Sequence, residues 1–298
     1  MSVMMHENQL VLSEEDAAFL IAQRFPEYRG HVIRRLDTSG TVNAIFRVGE
    51  EAAARFPLLA HDVNGPDPTP AHEASAMEEF LQASPFPGPR PLGIAEPSVT
   101  CPSGWSLQSW LPGVTPSPHS HESSDGFAED LADLITALRL HSTGGRTFAG
   151  TGRGGVLQEH DGWVEECLRQ SHGLLDVGPL RKLWEHFRTL SPAGADVMNH
   201  GDLIPANILV DGERLSGVLD TGGFGPADPA LDLVAAWHLL DERRRRRLRE
   251  RLGVGDEEWE RGAGWAFEQA IGLVWYYRES NPSMAELGRS TLGRLVGW

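Results

Sequence analysis

Three oxygen-bearing side chains have the types and the spacing that metal-assisted phosphoryl transfer requires. Asp202 ends the tripeptide HGD, Asn207 follows five residues later, and Asp220 follows Asn207 by thirteen. A transferred phosphoryl group carries its charge on peripheral oxygens, so a protein mainly positions the reactants and supplies magnesium and a base. Asp220 and the side-chain carbonyl of Asn207 suit a hard cation, and Asp202 can accept a proton from an attacking hydroxyl.

Each of these residues also has an ordinary structural interpretation. An Asp before a strand is usually a cap or turn residue, Asn207 at a strand start can close an Asx turn, and Asp220 with Thr-Gly-Gly after it can end a strand. For any one residue alone these interpretations would be preferred. The order of the three, with a predicted hairpin between the second and the third, favours the chemical interpretation.

The charge balance of the chain narrows its partners. The 298 residues contain 26 Lys and Arg against 42 Asp and Glu, a formal net charge of −16 with His neutral. Phosphate-rich partners need a basic surface, so this balance argues against general binding of nucleic acid or of anionic membranes. It suits a protein that handles a cationic small molecule, although acidity also serves solubility and does not identify a substrate.

Cysteine usage and targeting signals predict a cytoplasmic, reduced protein. Cys101 and Cys167 are too few and too far apart for a disulfide framework or a zinc site. The first residues show no basic region followed by an apolar run, and no stretch approaches the roughly 18 apolar residues of a membrane helix. Lys182 is the only lysine, which excludes any mechanism that needs a lysine elsewhere.

The first third of the chain predicts a helix and a small sheet. Ser13 begins a capped amphipathic helix in which Asp16 takes the capping-box position. Turn residues separate short β-like runs, so antiparallel hairpins are expected. The runs are HVIRRL (31–36), NAIFRVG (43–49), AAARFPL (52–58) and WSLQSWL (105–111). Residues 61–70 are predicted as a loop because of their prolines, 72–83 as a helix, and 84–93 as a proline-rich connection.

The remainder of the chain predicts helices around one hairpin. NILV (207–210) and LSGVLD (215–220) are joined by Asp-Gly-Glu, which is typical of a hairpin turn. Apolar residues at helical spacing indicate helices elsewhere. These helices are expected over 127–142, over 161–170, from 180, and in three later segments that begin near 229, 241 and 264. The arginine run 243–247 is predicted to be a solvated helix face.

Two segments resemble the aminoglycoside phosphotransferase family of small-molecule kinases, relatives of choline kinases and more distantly of protein kinases. HGDLIPANILV is similar to the HGD-x-x-x-x-N catalytic loop, and VLDTGGFGPADPALDLVAAW to the metal-binding Asp followed by D-P-x-x-D-L. By this resemblance Asp202 is the catalytic base, and Asn207 and Asp220 hold Mg²⁺. The implied fold is α+β and bilobal, protein-kinase-like, with a small antiparallel-sheet lobe (1–108), a hinge (109–113) and a larger helical lobe (114–298).

The resemblance also implies a nucleotide site in the first lobe. Ser39 and Gly40 lie in the turn of the hairpin that would cover the nucleotide. Arg55 stands on the strand where protein kinases carry a phosphate-gripping lysine, and its guanidinium offers forked donors in place of a point charge. Glu73 is the expected helix partner of Arg55. An exposed strand arginine and a solvated helix glutamate are the ordinary alternatives.

Other carboxylates and the hinge complete the expected nucleotide site. Glu78 and Glu79 are rivals of Glu73 for the partnership with the arginine. Backbone N–H and C=O groups of Ser109, Trp110 and Leu111 would meet the purine edge. Because backbone contacts leave no side-chain signature, ATP and GTP remain equal alternatives.

Several residues around the catalytic loop have expected supporting roles. Asp232 is expected to brace the loop, and Asp228 to cap the helix that Pro229 would begin. His200 is expected to hydrogen-bond around the loop, as a structural residue. Glu268 and Tyr277, in an aromatic helix that is otherwise core, could share in a substrate pocket.

The sequence thus predicts a Mg²⁺-dependent kinase that moves the γ-phosphate of ATP or GTP to a hydroxyl of a small molecule. An aminoglycoside-type antibiotic is the leading acceptor because the chain is acidic. One alternative keeps the chemistry and takes a macrolide, a peptide antibiotic, an amino alcohol or a sugar. Another is a catalytically idle, kinase-like nucleotide-binding protein, which the missing strand lysine and the glycine-poor loop would suit. No nucleic-acid or membrane partner is expected.

Overall fold

The structure, a computed structural model, describes residues 10–36, 43–59, 69–150, 152–192 and 194–297. Within these residues, no helix combines the length and the apolar character that a membrane span would need.

The chain divides into two compact units, each described here by itself. Unit 1 takes its described residues from Met1–Leu81, Gly88–Pro112 and Asp220–Gly222, and unit 2 from Gln82–Pro87, Gly113–Leu219 and Gly223–Trp298. Unit 1 therefore includes a short segment from late in the sequence.

Unit 1 is built on a five-stranded antiparallel sheet. Its strands are β1 (Ile33–Arg35), β2 (Asn43–Val48), β3 (Ala52–Pro57), β4 (Pro91–Ala95) and β5 (Trp105–Ser109), in the order β1-β2-β3-β5-β4. The β2–β3 register places Ile45 opposite Arg55 and Phe46 opposite Ala54. Since successive side chains of a strand point to opposite faces, Arg55 and Phe56 lie on different faces of the sheet.

One face of this sheet forms an apolar core with helix α1 (Glu14–Arg24). Phe56 stacks on Trp105 with ring centroids 4.6 Å apart. The predicted cap of α1 is confirmed, because the Ser13 side chain accepts the Asp16 N–H at 3.0 Å and the Asp16 carboxylate accepts the Ser13 N–H. Because the apolar core lies on one face of the sheet, polar groups such as Arg55 are on the opposite face.

Two segments of this part differ from the prediction. Residues 91–93 begin strand β4 and do not continue the proline-rich connection; β4 is an edge strand, where the missing N–H of Pro91 removes no ladder bond that the sheet needs. Helix α2 (Thr69–Ala83) begins earlier than expected, so Pro70 lies in its first turn and not in the loop. Proline suits that turn, whose N–H groups have no helical partner. The rest of that predicted loop, 61–68, lies outside the described residues.

Unit 2 contains most of the helices and two short hairpin-like pairs. The helices are α3 (Asp125–Leu140), α4 (Asp161–Gln170), α5 (Val177–Phe187), α6 (Val234–Leu239), α7 (Glu242–Leu252), α8 (Asp256–Ile271), α9 (Leu273–Tyr276) and α10 (Pro282–Val296). The strands are β6 (Val197–Asn199), β7 (Ile208–Asp211), β8 (Arg214–Val218) and β9 (Gly225–Ala227), paired antiparallel as β6–β9 and β7–β8.

Helix α8 is largely buried, with twelve of its sixteen residues in the interior of unit 2. Small residues allow this burial: a Cβ on Gly262 would lie 2.6 Å from the Leu233 Cβ. Its aromatic residues pack internally, with Trp265 and Phe267 fully buried. As a result Glu268 and Gln269, which follow on the same helix, are carried into the interior of unit 2.

Unit 2 differs from the prediction in several details, including the start of α8, which is Asp256 and not residue 264. Strand β7 begins at Ile208, because Asn207 belongs to a 3₁₀ turn over Pro205–Asn207. Helix α10 was not predicted. The arginine run is not a uniformly solvated face, since Arg245 is buried and donates from Nη1 to the Leu240 carbonyl at 3.0 Å.

Candidate active site

The loop after β6 is fixed by a buried carboxylate in unit 2. Asp232 accepts the backbone N–H groups of His200 and Gly201, each at 2.8 Å. Gly201 has φ 83°, a left-handed conformation that glycine adopts without strain. The His200 imidazole donates from Nε2 to the Leu219 carbonyl at 2.8 Å. Asp232 therefore braces the loop and His200 is a structural residue, as the sequence predicted.

The carboxylate of Asp202, the next residue of this loop, accepts hydrogen bonds on both of its oxygens. Asn207 donates from Nδ2 to Oδ2 at 2.7 Å, and to the Asp202 backbone carbonyl at 2.9 Å. Arg153 donates from Nη2 to Oδ1 at 3.1 Å, and Gln269 donates from Nε2 to the same oxygen. The side chain of Asp202 is 33% exposed. It is thus a partly open carboxylate whose orientation is fixed from three sides.

Asn207 is buried and uses its amide nitrogen for Asp202. Its backbone carbonyl accepts the Leu219 N–H at 2.8 Å, and Leu219 directly precedes Asp220 in the chain. Both side-chain hydrogen bonds that the structure gives Asn207 come from Nδ2, so its carbonyl oxygen Oδ1 is the atom suited to a hard cation.

Asp220 is the centre of a second polar group, in unit 1. Arg55 donates from Nη2 to the Asp220 Oδ1 at 2.6 Å. Burial of the guanidinium acts to lower the pKa of Arg55, but the negative charges of Asp220 and Glu73 outweigh it, so the pKa is raised. Arg55 is therefore a permanent cation between two carboxylates. The structure brings together Arg55, Glu73 and Asp220, three residues predicted from the sequence.

The backbone of Asp220 is strained. Its φ of 55° is positive, the one such value at a non-glycine residue among those the structure describes. Asp tolerates this region better than most residues, and such outliers cluster at functional sites. Two residues on, Gly222 packs on the stem of Glu73, because a Cβ there would lie 3.0 Å from the Glu73 Cβ and Cγ.

The expected hinge residues have most of their N–H groups already engaged. The Ser109 N–H donates to the Arg90 carbonyl at 2.8 Å, and the Trp110 N–H donates to the Glu51 carbonyl at 2.7 Å. The Leu111 N–H makes no backbone hydrogen bond among the described residues. Of the three backbone N–H groups expected to meet a purine, only that of Leu111 has no backbone acceptor in the part of the chain that the structure describes.

Other predicted residues are placed less informatively. Ser39 and Gly40 lie outside the described residues. Glu78 is exposed on α2. Asp228 does more than cap a turn: it accepts the Ala230 N–H at 2.9 Å and also pairs with the buried Arg261.

Within the described part of the chain, no three His, Cys, Asp or Glu side chains cluster as a metal site. Magnesium often binds only one or two carboxylates with phosphate and water, so this does not conflict with the predicted ligands.

Two residues that contact Asp202, Arg153 and Gln269, were not predicted from the sequence. Arg153 lies between glycines in TGRGG, a segment taken only as a loop, and an arginine in such a setting was the available signal. Gln269 gave no signal, because it lies in an apolar helix where a neutral amide looks incidental. Only the fold places these two side chains on the carboxylate.

The fold is that of the kinase-like antibiotic phosphotransferases. The GDP complex of wild-type aminoglycoside 2'-phosphotransferase-IIIa matches with a TM-score of 0.67 and 16% identity, covering 96% of this chain and 99% of that one. A macrolide 2'-phosphotransferase from Brachybacterium faecium matches with a TM-score of 0.60 and 18% identity, covering 93% and 98%. At these identities the likeness shows the fold alone. The predicted α+β, protein-kinase-like fold class is thereby confirmed.

The family is shown by the sequence. The model of the phosphotransferase enzyme family matches residues 33–265, and the chain belongs to that family. An aminoglycoside 3'-phosphotransferase of Salmonella typhimurium is 26% identical over 177 residues, 52% of this chain and 60% of its own length. One of Escherichia coli is 28% identical over the same shares. The match thus spans about 60% of the length of these curated relatives.

Proposed function

We propose that the protein is a Mg²⁺-dependent phosphotransferase that moves the γ-phosphate of ATP or GTP to a hydroxyl of a small molecule, first among them an aminoglycoside-type antibiotic. The observation that carries the proposal is the carboxylate of Asp202, partly exposed and held by three donors. A general base must be oriented and reachable; the three donors orient the carboxylate, and its partial exposure leaves it reachable.

In the proposed reaction Asp202 takes the proton of the acceptor hydroxyl. The acceptor oxygen forms a bond to the γ-phosphorus, the bond between that phosphorus and the β–γ bridging oxygen breaks, and the bridging oxygen stays with the nucleoside diphosphate. The proton remains on Asp202 until it passes to solvent. A base in such a reaction contributes roughly 10²–10⁴-fold to the rate.

Unit 1 carries the proposed nucleotide grip. Arg55 is the cation for the nucleotide phosphates, and Glu73 and Asp220 hold it. The free N–H of Leu111 is the proposed donor to the purine, while Ser109 and Trp110 shape the hinge. Ser39 and Gly40 remain the proposed turn over the nucleotide. These assignments do not separate ATP from GTP.

The residues proposed for magnesium fit that ion. Asp220 offers a carboxylate that is 48% exposed, and Asn207 offers an amide oxygen, the hard oxygen ligands that magnesium prefers. Bound there, the ion would neutralise charge on the nucleotide phosphates. The left-handed backbone of Asp220 supports a functional role for that residue.

An aminoglycoside is favoured as acceptor by the net charge of −16 and by the activity named for the curated relatives. A macrolide is the second candidate, because a macrolide 2'-phosphotransferase shares the fold nearly as well as the aminoglycoside enzyme does. The reaction consumes nucleoside triphosphate, which favours a cytoplasmic location. Both cysteines are free thiols, in keeping with that compartment.

The test is an acceptor-dependent screen for nucleoside diphosphate release, run with ATP and with GTP, over aminoglycosides, macrolides, peptide antibiotics, amino alcohols and sugars. We expect a phosphorylated product, identified by mass spectrometry, with at least one aminoglycoside. Product formation with macrolides alone would move the acceptor to the second candidate. Magnesium-dependent nucleotide binding without a phosphorylated product across the panel would support the idle, kinase-like binding protein.

A further inference from the structure

A buried chain of hydrogen bonds in unit 2 ends on the proposed base. It begins at Thr291 on α10, continues to His238 on α6 and to Gln269 on α8, and ends at Asp202. Thr291 Oγ1 lies 2.8 Å from His238 Nδ1, and His238 Nε2 lies 2.9 Å from Gln269 Oε1. Thr291 and His238 are fully buried, and Gln269 is 9% exposed. Buried polar groups of this kind hold one arrangement when every member has a partner.

The donor and acceptor in each of these hydrogen bonds follow from the protonation of His238 and the amide of Gln269. Burial lowers the pKa of His238 to about 3, so its ring is neutral and carries one proton. Gln269 Oε1 can only accept, so that proton is on Nε2, and Nδ1 accepts the Thr291 hydroxyl proton. The Gln269 amide nitrogen is thereby turned toward Asp202 as a donor. Three helices thus fix one N–H group on the Oδ1 atom of the proposed base.

The second donor to the same oxygen comes from a loop that is itself anchored. The Asp228 N–H donates to the Gly154 carbonyl at 2.8 Å, and Arg261 donates from Nη2 to the Gly155 carbonyl at 2.7 Å. Arg261 is fully buried and pairs with Asp228. Gly154 has φ 114° and a Cβ there would lie 2.7 Å from the Ala227 Cβ, so only glycine fits. Arg153 therefore lies in a loop that these hydrogen bonds hold in one conformation.

Glu268 extends the same arrangement to the other side of Arg153. Its Oε2 lies 3.9 Å from Arg153 Nη1, and its Oε1 lies 2.9 Å from His160 Nδ1. Glu268 is 4% exposed, whereas the Arg153 side chain is 33% exposed. The guanidinium thus spans a buried carboxylate and the proposed base.

Among the residues that the structure describes, the donors leave one acceptor position on the Asp202 carboxylate. A carboxylate offers about four lone-pair sites, two on each oxygen. Arg153 and Gln269 occupy both sites of Oδ1, and Asn207 occupies one site of Oδ2. The remaining site is on Oδ2.

We propose that Arg153 and the Thr291–His238–Gln269 chain are positioning devices that occupy Oδ1 of Asp202, so that Oδ2 receives the proton of the acceptor hydroxyl. The inference rests on the proposed function and adds to it the atom that acts and the residues that aim it. In this proposal Arg153 and Gln269 act through their hydrogen bonds to Asp202 and not through the nucleotide or the acceptor. Their loss should therefore lower kcat and leave the nucleotide KM unchanged.

The test compares two variants with their conservative partners, using the acceptor found by the screen. Arg153→Met removes the donor to Oδ1, while Arg153→Lys keeps a cation there. Thr291→Val removes the hydroxyl that donates to His238 Nδ1, while Thr291→Ser keeps it. Arg251→Met removes an exposed arginine of unit 2 that pairs with Asp133, and serves as the matched control. Each variant is measured for kcat, for both KM values and for thermal unfolding.

We expect Arg153→Met to lower kcat by roughly 10–100-fold, because small misplacement of a reacting group has an effect of that order. Arg153→Lys should recover part of the loss. Thr291→Val should lower kcat about threefold to tenfold, and Thr291→Ser and Arg251→Met should stay within about twofold of the wild type. The nucleotide KM should stay within about twofold in every variant, because the proposed effect of Arg153 and Thr291 is on the orientation of Asp202 and not on nucleotide binding.

The proposal is overturned if Arg153→Met and Thr291→Val keep the wild-type kcat while the wild type phosphorylates its acceptor. It is also overturned if the loss of kcat equals the loss of folded protein at the assay temperature. A wild type that phosphorylates no acceptor refutes the proposed function first, and this inference with it. The two failures are thereby distinguished by the wild-type measurement alone.

Discussion

The carboxylates of Asp202 and Asp220 have opposite surroundings, although both were predicted from one stretch of sequence. Asp202, in unit 2, is held by Arg153, Gln269 and Asn207 on an ordinary backbone. Asp220, in unit 1, is bonded to the buried guanidinium of Arg55 and has a left-handed backbone. Its side chain is also the more exposed, 48% against 33%.

This difference teaches what each carboxylate is built to do. Several donors from separate elements fix the direction of a group, which suits a base that must meet one proton. A carboxylate that is paired with a cation, half exposed and held in a strained conformation suits an exchange of partners, as when a metal ion or a phosphate arrives. We therefore expect substitutions at the two sites to separate turnover from nucleotide binding.

The largest expected effect is that of Asp202→Asn. The variant keeps the shape of the side chain but cannot take a proton, so kcat should fall by roughly 10²–10⁴-fold. Affinity for the nucleotide, measured by calorimetry, and the thermal unfolding midpoint should stay close to the wild type. Asp133→Asn, at an exposed carboxylate paired with Arg251, is the control. A fully active Asp202→Asn variant would remove the residue from the role of base.

Asp220→Asn should instead change nucleotide binding and its requirement for magnesium. Asn also tolerates the left-handed backbone, so the strain at this position stays accommodated while the charge is lost. We expect the affinity for magnesium to fall, so that a higher magnesium concentration is needed for half-maximal nucleotide binding. If this variant and Asp202→Asn change the same parameters, the comparison between the two carboxylates fails.

The next effect is that of Arg55→Met on nucleotide binding. A hydrogen bond to a charged group contributes about 1.5–3 kcal/mol, so the nucleotide KM should rise by roughly 10–100-fold. The acceptor KM should change little. Arg55→Lys keeps the charge but loses the fork, and should fall between the wild type and Arg55→Met. An unchanged nucleotide KM in both variants would show that Arg55 serves only Asp220.

The sequence allowed more to be predicted about unit 1 and the catalytic loop than about the surroundings of the base. Strand alternation and capping are local, so β2, β3 and the cap of α1 were predicted nearly to the residue. Asp202 and Asn207 are five residues apart, and local spacing is enough to associate them. Gln269 reaches Asp202 across 67 residues, and nothing in its own apolar segment signals that contact.

The start of strand β4 was a further error of prediction. The segment 84–93 was predicted as a proline-rich connection, whereas Pro91 begins an edge strand, which accepts proline. Strand edges are defined only by the complete sheet, so the sequence of β4 alone could not show that it lies at one. The backbone donors available at Ser109 and Trp110 could not be predicted for the same reason, because the partners of their N–H groups are distant in sequence.

A smaller effect is expected at Gly222, where the Asp220 segment packs on Glu73. A Cβ would lie 3.0 Å from the Glu73 Cβ and Cγ, so Gly222→Ala must displace the glutamate stem. Overpacking of this kind costs about 1–3 kcal/mol. We expect a higher nucleotide KM through Arg55 and a modest loss in the free energy of unfolding by urea. Gly293→Ala, where no atom lies within 4 Å of the added Cβ, is the control and should be neutral or stabilising.

The smallest expected effect is a pH dependence of stability that belongs to the Asp202 side of the comparison. The hydrogen bond that His160 donates to Glu268 raises the pKa of His160 above its ordinary 6.5, against the opposing effect of burial. The charged imidazole therefore stabilises the folded state fully below pH 6.5, and this contribution is lost as the pH rises through the higher folded pKa. His238, whose pKa is about 3, acts in a separate window, destabilising the fold as the pH falls from 6.5. In His160→Gln the urea midpoint should fall less between pH 6 and pH 8 than in the wild type. Parallel pH curves for the two proteins would show that the His160–Glu268 pair contributes no proton-linked stability.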